Sequence, residues 1–287
     1  MTGRFLTGAA KLAGVMGWPI KHSRSPRLHG HWLDHYGIDG AYMPLAVAPE
    51  RLEPALRGLR ALGFQGVNLT LPHKEAVLPL IDEVSEAAKR IGAVNTIVIA
   101  DDGRLRGDNT DGFGFVASLS AGAPGWRAAD GPAVILGAGG AARAVAVALI
   151  DADVPGLRLI NRTRERAERL AESLRSIAPA CMIDIAAWDE RAAALDGAHL
   201  LVNTTSLGMS GQPALELALN ELPRAATVTD IVYTPLETDL LAAARKRTNP
   251  TVDGLGMLLH QGRPGFAAWF GVDPEVTDDL RTVVLAG

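Results

Sequence analysis

The sequence predicts an α/β protein with two domains. Strand-like apolar runs alternate with helical runs along most of the chain, which is typical of a largely parallel sheet covered by helices. The chain has 287 residues, and a single hydrophobic core stops growing near about 250 to 300 residues. A glycine-rich turn lies between an apolar strand and an alanine-rich helix in the second half of the chain. We therefore expect an N-terminal α/β domain, then a doubly wound α/β domain, and helices at the C-terminus.

Composition and charge narrow the class of protein. With 48% apolar residues, 21% charged residues and 31 glycines, the chain has the composition of a folded protein with many tight turns. A net charge of −4 disfavours nucleic acid. No membrane partner is expected, because the most apolar stretch contains Arg143 and three glycines. The single cysteine, Cys181, excludes an intrachain disulfide and favours a cytoplasmic location. The N-terminal segment, interrupted by Lys11, is interpreted as part of the fold.

The first third of the chain alternates between predicted strands and helices. In order, these are strand KLAGVMG, helix SPRLHGHWLDHYG, strand AYMPLAV, helix PERLEPALRGLRALG, strand GVNLTL, and helices from His73 to about Ile91. One helical face is predicted to be apolar, as a covering helix requires, and consists of Leu28, Trp32, Leu33 and Tyr36. Two short strands then surround Asp102-Gly103, a dipeptide suited to a tight hairpin turn.

A second alternating series follows a helix that starts near Asp111. Its predicted elements are PAVILGAG, GAARAVAVALIDA, GLRLINR, TRERAERLAESL, HLLVNTT, ATVTDIVY and TDLLAAARKR. The final part, from DGLGMLLHQGRPGFAAWFG onward, is predicted to be helical again. We expect Pro264 to kink or interrupt that last helix, because proline has no amide hydrogen to donate.

The turn in VILGAGGAARA carries the fingerprint of a dinucleotide site. Gly137, Gly139 and Gly140 lie between strand and helix, and Ala142 takes the sixth position of the pattern G-x-G-x-x-[GA]. Such glycines let the backbone approach a pyrophosphate, whose charge meets the amides and dipole of the helix N-terminus. The alternative is a tight turn that binds nothing. This context favours a Rossmann-type dinucleotide-binding domain.

The next strand ends at LINRTRER and bears on the choice of cofactor. Asn161 stands where an acidic residue would bind the ribose hydroxyls of NAD and repel a 2′-phosphate. Arg162 and Arg166 nearby can bind that phosphate, so they favour NADP. The alternative is a solvated helix face on which Glu165 and Arg169 form an i,i+4 ion pair.

Eight motifs occur in the order found in one family of enzymes. They are HSRSP, NLTLPHKE, GAVNT, GDNTDG, GAGGAARA, NRT, DIVYTPLETDLL and DGLGMLLHQ. On these motifs the chain resembles the shikimate dehydrogenases, NADP-linked oxidoreductases that reduce 3-dehydroshikimate to shikimate in aromatic amino-acid biosynthesis. The resemblance implies a substrate-binding domain at 1–110, an NADP-binding Rossmann domain at 111–249, and C-terminal helices at 250–287 that pack back on the first domain.

The resemblance also implies the residues of an active site. Lys74 and Asp111 would serve acid/base catalysis at the reacting oxygen. Serine hydroxyls would donate to the substrate carboxylate, within a pocket formed by Ser23, Ser25, Thr70, Lys74, Asn95, Asp111 and Gln261. NADP would contact Gly137, Gly139, Gly140, Ala141, Asn161, Arg162, Thr163, Arg166, Tyr233 and Gly254. The partner would be shikimate or 3-dehydroshikimate, and the enzyme a monomer or homodimer.

Simpler interpretations exist for several of these residues. Ser25 and Asp111 can each be a helix cap rather than a ligand. Lys74 lies in the first turn of a predicted helix, where its positive charge is disfavoured by the helix dipole. The alternative to a catalytic lysine at this position is an ordinary surface lysine. His31 and His35 have the i,i+4 spacing of zinc ligands, but the sequence offers no third ligand, so no metal is expected.

Three other functions compete with the leading one. A quinate or shikimate dehydrogenase of broader specificity, or an aminoshikimate relative, would share the pocket and tolerate another ring substituent or NAD. Methylenetetrahydrofolate dehydrogenase also combines an NADP-binding architecture with a pocket lysine, but GDNTDG and SRSP argue against it. A non-catalytic shikimate-binding regulator would have little need for Lys74, Asp111 and an intact phosphate loop together.

Overall fold

The computed structural model describes residues 6–286, and the chain divides into two compact units. The first unit combines the chain up to Thr110 with the segment from Gln261 onward, and the second unit runs from Asp111 to His260. The first five residues of the N-terminal segment, which we interpreted as part of the fold, lie outside the described residues. No helix within residues 6–286 is both long enough and apolar enough to cross a membrane.

The first unit is built on a six-stranded mixed sheet. Its elements before residue 111 are β1 (Lys11–Gly17), α1 (Ser25–His35), β2 (Gly40–Ala46), α2 (Leu52–Ala61), β3 (Phe64–Leu69), α3 (His73–Ala76), β4 (Glu83–Val84), α4 (Glu86–Ile91), β5 (Thr96–Ile99) and β6 (Leu105–Asp108). The strand order is β2-β1-β3-β5-β6-β4. β1 pairs in parallel with β2 and β3, whereas β5 runs antiparallel to β3 and β6. The β5–β6 pair confirms the hairpin predicted around Asp102-Gly103.

Apolar residues at helical spacing explain how this sheet is covered. On α2, Leu52, Leu56 and Leu59 are buried against β3 and β5 residues such as Val67 and Ile97. This i, i+4, i+7 spacing is the apolar stripe that a covering helix needs. The region from His73 to Ile91 is more broken than predicted, because it contains the short strand β4 between α3 and α4.

The second unit is a doubly wound domain. Its elements are α5 (Asp111–Gly122), β7 (Ala133–Leu136), α6 (Gly140–Asp151), β8 (Gly156–Ile160), α7 (Arg164–Ile177), β9 (Met182–Ala186), β10 (Leu200–Asn203), β11 (Thr227–Asp230), α8 (Asp239–Lys246), β12 (Thr251–Val252) and α9 (Gly254–Phe270). The order is β12-β11-β10-β7-β8-β9, with every pair parallel. The order reverses between β7 and β10, and ligands bind at such switch points in open α/β sheets.

Two strands of this sheet were not among the predicted elements. β12 has only two residues, and β9 reads MIDIA, with Met182 and Asp184 exposed. Both are edge strands of the sheet. Single turns of 3-10 helix also occur, at Pro49–Arg51, Leu78–Leu80, Ala128–Asp130, Trp188–Glu190 and Ala193–Leu195.

The C-terminal segment packs within the first unit. α9 continues from Gly254 to Phe270 through Pro264, so the expected interruption of this helix is wrong, and the alternative of a kink stays a prediction. Beyond the proline, Phe266 is fully buried, and the Trp269 indole donates to the carbonyl of Ile97 at 3.0 Å. Burial of these rings stabilises the helix and offsets the missing amide donor. The last helix is α10 (Asp278–Leu285).

The division of the chain near its C-terminus also differs from the expected one. We placed a boundary after Asn249, but the second unit extends to His260. The reason is local: β12 pairs with β11, and the start of α9 packs against the backbone of Ile231. Residues 250–260, which include the start of α9, therefore group with the doubly wound sheet, and the rest of α9 belongs to the first unit.

Candidate active site

In the first unit, backbone hydrogen bonds bring three predicted pocket residues to one edge of the sheet. The Thr70 amide donates to Met16 at 2.9 Å, at the end of β1. The Leu69 amide, at the end of β3, donates to the carbonyl of Asn95 at 2.8 Å, and the Val94 amide donates to the carbonyl of Lys74 at 2.8 Å. Because β5 runs antiparallel to β3, its first residues meet the carboxyl end of β3. Thr70, Lys74 and Asn95 therefore lie together.

Lys74 lies on α3, a helix of a single turn. The expected conflict with a helix dipole is weaker than for a long helix, because four residues align few peptide dipoles. The preceding residue, His73, is fully buried, and its Nε2 lies 2.7 Å from the carbonyl of Val47. The His73 amide donates to the carbonyl of Thr70 at 2.9 Å. These bonds position the backbone of the half-buried Lys74, a role for His73 that the sequence analysis did not identify.

The orientation of the Asn95 amide is set by its neighbours. Its Oδ1 accepts from the Thr110 backbone amide at 2.9 Å and from the Thr96 hydroxyl at 2.9 Å. Its Nδ2 therefore points the other way and donates to Oε1 of Gln261 at 3.5 Å. The Thr110 hydroxyl donates to the backbone carbonyl of Gln261 at 2.8 Å. Asn95, with 2% of its surface exposed, thus presents hydrogen-bond donors beside Gln261.

The two serines of HSRSP have different environments. The N-cap of α1 is Arg24, and Ser25 is the first helical residue, so the interpretation of Ser25 as the cap is wrong. The helix begins one residue earlier than that interpretation requires, since the Leu28 amide donates to the carbonyl of Arg24. Ser25 is buried, with 8% of its surface exposed. The Oγ of Ser23 accepts from the Ser25 amide at 3.4 Å, which leaves its hydroxyl hydrogen to donate elsewhere.

Asp111 is the first residue of α5 and belongs to the second unit. A carboxylate at this position is favoured by the helix dipole. Lys74 and Asp111 come from different units, so their pairing in catalysis stays a prediction.

The glycine loop leaves its backbone open. Gly137 has φ of +109°, and a Cβ there would lie 2.5 Å from the hydroxyl oxygen of Thr204, so only glycine fits. A Cβ at Gly139 or Gly140 would meet no protein atom within 4 Å. Gly139 caps α6 without a side-chain hydrogen bond, so the first amides of the helix can bind an anion. The loop, followed by Ala141, fits a pyrophosphate.

The predicted phosphate pocket follows β8, the neighbour of β7. The Gly137 amide donates to the carbonyl of Ile160 at 2.8 Å, which holds the two loops side by side. Asn161 Nδ2 donates to the carbonyl of Thr163 at 2.7 Å, and the side chain of Thr163 makes no capping bond to α7. Asn161 and Thr163 thus shape the turn that carries the neighbouring arginines.

Arg162 and Arg166 are exposed, and neither guanidinium makes a hydrogen bond or ion pair with any residue in the range 6–286. The i,i+4 ion pair on α7 joins Arg164 to Glu168 at 2.9 Å, not Glu165 to Arg169 as the alternative interpretation supposed. Two unneutralised guanidinium groups beside the glycine loop fit the 2′-phosphate that distinguishes NADP.

Gly254 is required by close packing. A Cβ there would lie 2.3 Å from the carbonyl oxygen of Ile231, so glycine lets α9 start against the segment after β11. The half-buried Tyr233 lies in the same segment. Gly254 thus helps to position the loop in which Tyr233 is predicted to contact the cofactor.

A buried carboxylate missed by the sequence analysis supports that loop. Asp230 accepts from the Val232 amide at 3.0 Å, the Thr238 hydroxyl at 2.8 Å and Nδ2 of Asn203 at 3.0 Å. Burial raises the pKa of Asp230, and these three donors partly oppose the rise. Asn203 and Asp230 end the adjacent strands β10 and β11. In the sequence, the signal that could have identified Asn203 and Asp230 was a polar residue at the end of each apolar strand.

The two histidines with zinc-like spacing form no metal site. The rings of His31 and His35 lie 6.0 Å apart, and His31 Nε2 lies 3.7 Å from a carboxylate oxygen of Asp279. Among residues 6–286, no group of three or more histidine, cysteine, aspartate or glutamate side chains is placed to hold a metal ion.

Comparison with known proteins places the chain among dehydrogenases. The family model "Shikimate dehydrogenase substrate binding domain" matches residues 15–97, and the family model "Shikimate / quinate 5-dehydrogenase" matches residues 125–206. The shikimate dehydrogenase (NADP(+)) of Rhodospirillum rubrum is 64% identical over 98% of this chain and 99% of its own length.

Solved structures show the same two-domain fold. Shikimate 5-dehydrogenase from Thermus thermophilus, in complex with NADP(H) and shikimate, matches with a TM-score of 0.83 and 37% identity, covering 96% of this chain and 99% of that one. Quinate dehydrogenase from Corynebacterium glutamicum, in complex with NAD, matches with a TM-score of 0.89 and 33% identity, covering 97% and 99%. With a 64% identical relative over nearly its whole length, the chain belongs to the shikimate dehydrogenase family.

Proposed function

We propose that this chain catalyses the reversible NADPH-dependent reduction of 3-dehydroshikimate to shikimate, with Lys74 and Asp111 as the acid/base pair. The proposal is supported by the hydrogen bonds that bring Thr70, Lys74, Asn95 and Gln261 together in a chain 64% identical to a shikimate dehydrogenase (NADP(+)). The competing folate-enzyme and regulator functions do not account for that identity.

The second unit supplies the cofactor site. When bound, NADPH supplies the hydride for the ketone carbon. The open backbone at Gly139 and Gly140 receives the pyrophosphate, and Arg162 and Arg166 bind the 2′-phosphate. Asn161, Thr163 and Tyr233 complete this site at the turns after β8 and β11.

The first unit supplies the proton and holds the ring. Reduction leaves a developing alkoxide on the substrate, and the Lys74 ammonium stabilises and protonates that oxygen. Asp111, from the second unit, is the proposed second member of the acid/base pair. Asn95 donates from Nδ2 to a ring oxygen, Thr70 and Gln261 complete the pocket, and Ser23 and Ser25 donate to the carboxylate.

The decisive experiment compares two substrates and two cofactors. We expect the highest kcat/KM for shikimate with NADP+. Asn161 stands at the position where an acidic residue would favour NAD, and the exposed Arg162 and Arg166 follow it in the sequence. Quinate with NAD+ as the best pair would instead assign the chain to the quinate dehydrogenase branch, of which the Corynebacterium glutamicum structure is an example.

We further propose that the enzyme works in the cytoplasm as a monomer or homodimer, without nucleic acid or membrane partners. The single cysteine and the net charge of −4 support this setting. Sedimentation of the purified enzyme would give its oligomeric state.

A further inference from the structure

A buried polar pair joins the loops that follow β10 and β11, and the mechanism above does not use it. Asn203 and Asp230 are the last residues of these adjacent strands, and both are completely buried. Asn203 Nδ2 donates to Asp230 Oδ1 at 3.0 Å and to the carbonyl of Leu207 at 3.2 Å. Asp230 also accepts from the Val232 amide at 3.0 Å and from the Thr238 hydroxyl at 2.8 Å. The pair therefore holds both loops from within the protein.

The donors and acceptors of this pair have a single arrangement. Asn203 Oδ1 accepts from the amide of Thr205 at 3.0 Å and from its hydroxyl at 2.7 Å, so Nδ2 must be the group that faces Asp230. The Thr238 oxygen accepts from the Leu241 amide at 3.4 Å, which leaves its hydroxyl hydrogen for Asp230 Oδ2. Asp230 can accept all three of its bonds without carrying a proton of its own. Its bonds thus fix the geometry of the two loops.

The residue after Asn203 ties the pair to the glycine loop. Thr204 donates to the carbonyl of Leu136 twice, from its amide at 2.9 Å and from its hydroxyl at 2.7 Å. Leu136 directly precedes Gly137, whose backbone lies so close to Thr204 that a Cβ would come within 2.5 Å of the hydroxyl oxygen. The position of Asn203 is therefore set relative to the glycine loop.

The strand order indicates which half of a dinucleotide these loops serve. The order is β12-β11-β10-β7-β8-β9, with the glycine loop after β7 and Arg162, the proposed ligand of the 2′-phosphate, after β8. A dinucleotide spans the switch point of such a sheet, so the nicotinamide half falls on the side of β10 and β11. The loop after β11 carries Tyr233, and its Thr234 carbonyl accepts from the Ser210 amide in the loop after β10 at 2.8 Å. Asp230 thus lies beneath the nicotinamide side.

We infer that Asp230 is a positioning residue for the nicotinamide half of the cofactor. It rests on the proposed function, which assigns NADP to the second unit. Asp230 holds the loop that carries Tyr233 at both ends, through Val232 directly before it and Thr238 five residues after it. Through Asn203, the same carboxylate fixes that loop relative to the glycine loop. The contacts of the adenosine half, on the side of β8, do not depend on it.

The test compares the whole cofactor with a fragment of it. Adenosine 2′,5′-bisphosphate has the 2′-phosphate and lacks the nicotinamide. For Asp230→Ala we expect the Kd of NADP+, measured by calorimetry, to rise about tenfold while that of the fragment stays within about twofold of the native value. Because the ring is then misplaced for hydride transfer, kcat should also fall about tenfold. If both ligands weaken by the same factor, or neither weakens, the inference is wrong.

Asn249→Ala is the matched control for loss of buried bonds. Asn249 is also buried, and its Nδ2 donates to the carbonyls of Pro223, Arg224 and Ala226 at 2.8, 3.1 and 2.9 Å. These bonds lie at the opposite end of β11, so the ratio of the two Kd values should stay within about twofold of the native ratio. A ratio that changes as much as in Asp230→Ala would indicate a general loss of packing and overturn the inference.

Asp230→Asn separates the hydrogen bonds from the charge. An amide of the same shape keeps an oxygen for the Val232 amide and Asn203, and it turns its NH2 group to the Thr238 oxygen, which can accept. We therefore expect this variant to restore both Kd values to within about threefold of native. An effect as large as that of Asp230→Ala would show that the charge acts, not the bonds, and would contradict a positioning role.

Thr238→Val provides a test even if Asp230→Ala fails to fold. It removes one of the three bonds to Asp230, so the Kd of NADP+ should rise about threefold with that of the fragment unchanged. An unchanged Kd for NADP+ would overturn the inference. Native enzyme that does not oxidise shikimate with NADP+ would refute the proposed function, whereas active native enzyme with a constant Kd ratio in these variants refutes the role of Asp230 alone.

Discussion

The candidate ligand-binding groups are hydrogen-bonded within the protein in the first unit and are left open or exposed in the second unit. In the first unit, the candidate substrate ligands are tied into hydrogen bonds, and Asn95 alone accepts two close ones through Oδ1. In the second unit, the candidate cofactor groups are open backbone at Gly139 and Gly140 and exposed guanidinium groups at Arg162 and Arg166. Substitutions of these groups in the first unit should therefore affect both stability and activity, whereas those in the second should affect cofactor binding alone.

The largest expected effect concerns Lys74 in the first unit. Its half-buried side chain is predicted to act on the reacting oxygen, and its backbone carbonyl accepts from the Val94 amide. Removal of a general acid costs about 10²- to 10⁴-fold in rate. We expect Lys74→Ala to lower kcat by that factor with a modest change in shikimate affinity, measured by steady-state kinetics and calorimetry. A loss below about tenfold would exclude the catalytic role.

Asn95→Ala tests the coupling of stability and binding in the first unit. The substitution removes the acceptor of the Thr110 amide and of the Thr96 hydroxyl, and each buried donor left unpaired costs about 1–3 kcal/mol. We expect the free energy of unfolding to fall by about 2–4 kcal/mol in urea titrations, together with weaker shikimate binding. Unchanged stability would show that the pocket is not held by these bonds.

Arg162→Ala is the matched substitution in the second unit. Because this guanidinium is exposed and makes no bond within residues 6–286, its removal should leave stability within about 0.5 kcal/mol. The KM for NADP+ should rise about tenfold while that for NAD+ stays nearly constant, since only NADP carries the 2′-phosphate. Arg164→Ala, which loses the surface pair with Glu168, serves as the control. Equal weakening of both cofactors would contradict the contact.

The contrast between the units also explains what the sequence could predict. Open, exposed features can be recognised from short stretches of sequence: Gly137, Gly139 and Gly140 lie within four residues, and Arg162 lies two residues after the end of β8. The doubly wound order and the hairpin at Asp102-Gly103 follow from local patterns as well. The buried polar bonds of the first unit are different, because Tyr42, Asn68 and Thr96 come from three separate strands, and only the fold brings them together.

Local rules failed where tertiary packing overrides them. Proline chemistry predicted a break at Pro264, but burial of Phe266 and Trp269 keeps α9 continuous. That continuity places Gln261 beside Asn95 and Thr110. Similarly, Ser25 before a proline matched a helix cap, yet Ser25 is the first helical residue and Arg24 is the N-cap.

The smallest effect at neutral pH is expected for substitution of His29. Unlike the buried polar residues around Asn95, this residue of the first unit has no side-chain hydrogen bond to any described residue. Its ring is fully buried among aromatic rings, and neither ring nitrogen has a hydrogen-bond partner among the described residues. Replacing such a group by an apolar ring removes an unpaired polar cost, so His29→Phe should stabilise the protein by about 1 kcal/mol at pH 7. His35→Phe, at an exposed position on the same helix, should change stability by less than about 0.5 kcal/mol.

The pH dependence of this gain has a defined sign. Burial lowers the pKa of His29 from 6.5 to about 3 in the folded protein, so the unfolded chain binds the proton more tightly. Native stability is then lost as the pH falls below about 6.5, and His29→Phe removes that loss. The difference in free energy of unfolding between the His29→Phe protein and the native protein, measured by thermal unfolding, should grow by on the order of 1–2 kcal/mol between pH 7 and pH 5. A gain independent of pH would mean that His29 keeps its proton when the protein folds, which would require a hydrogen-bond acceptor within this aromatic cluster.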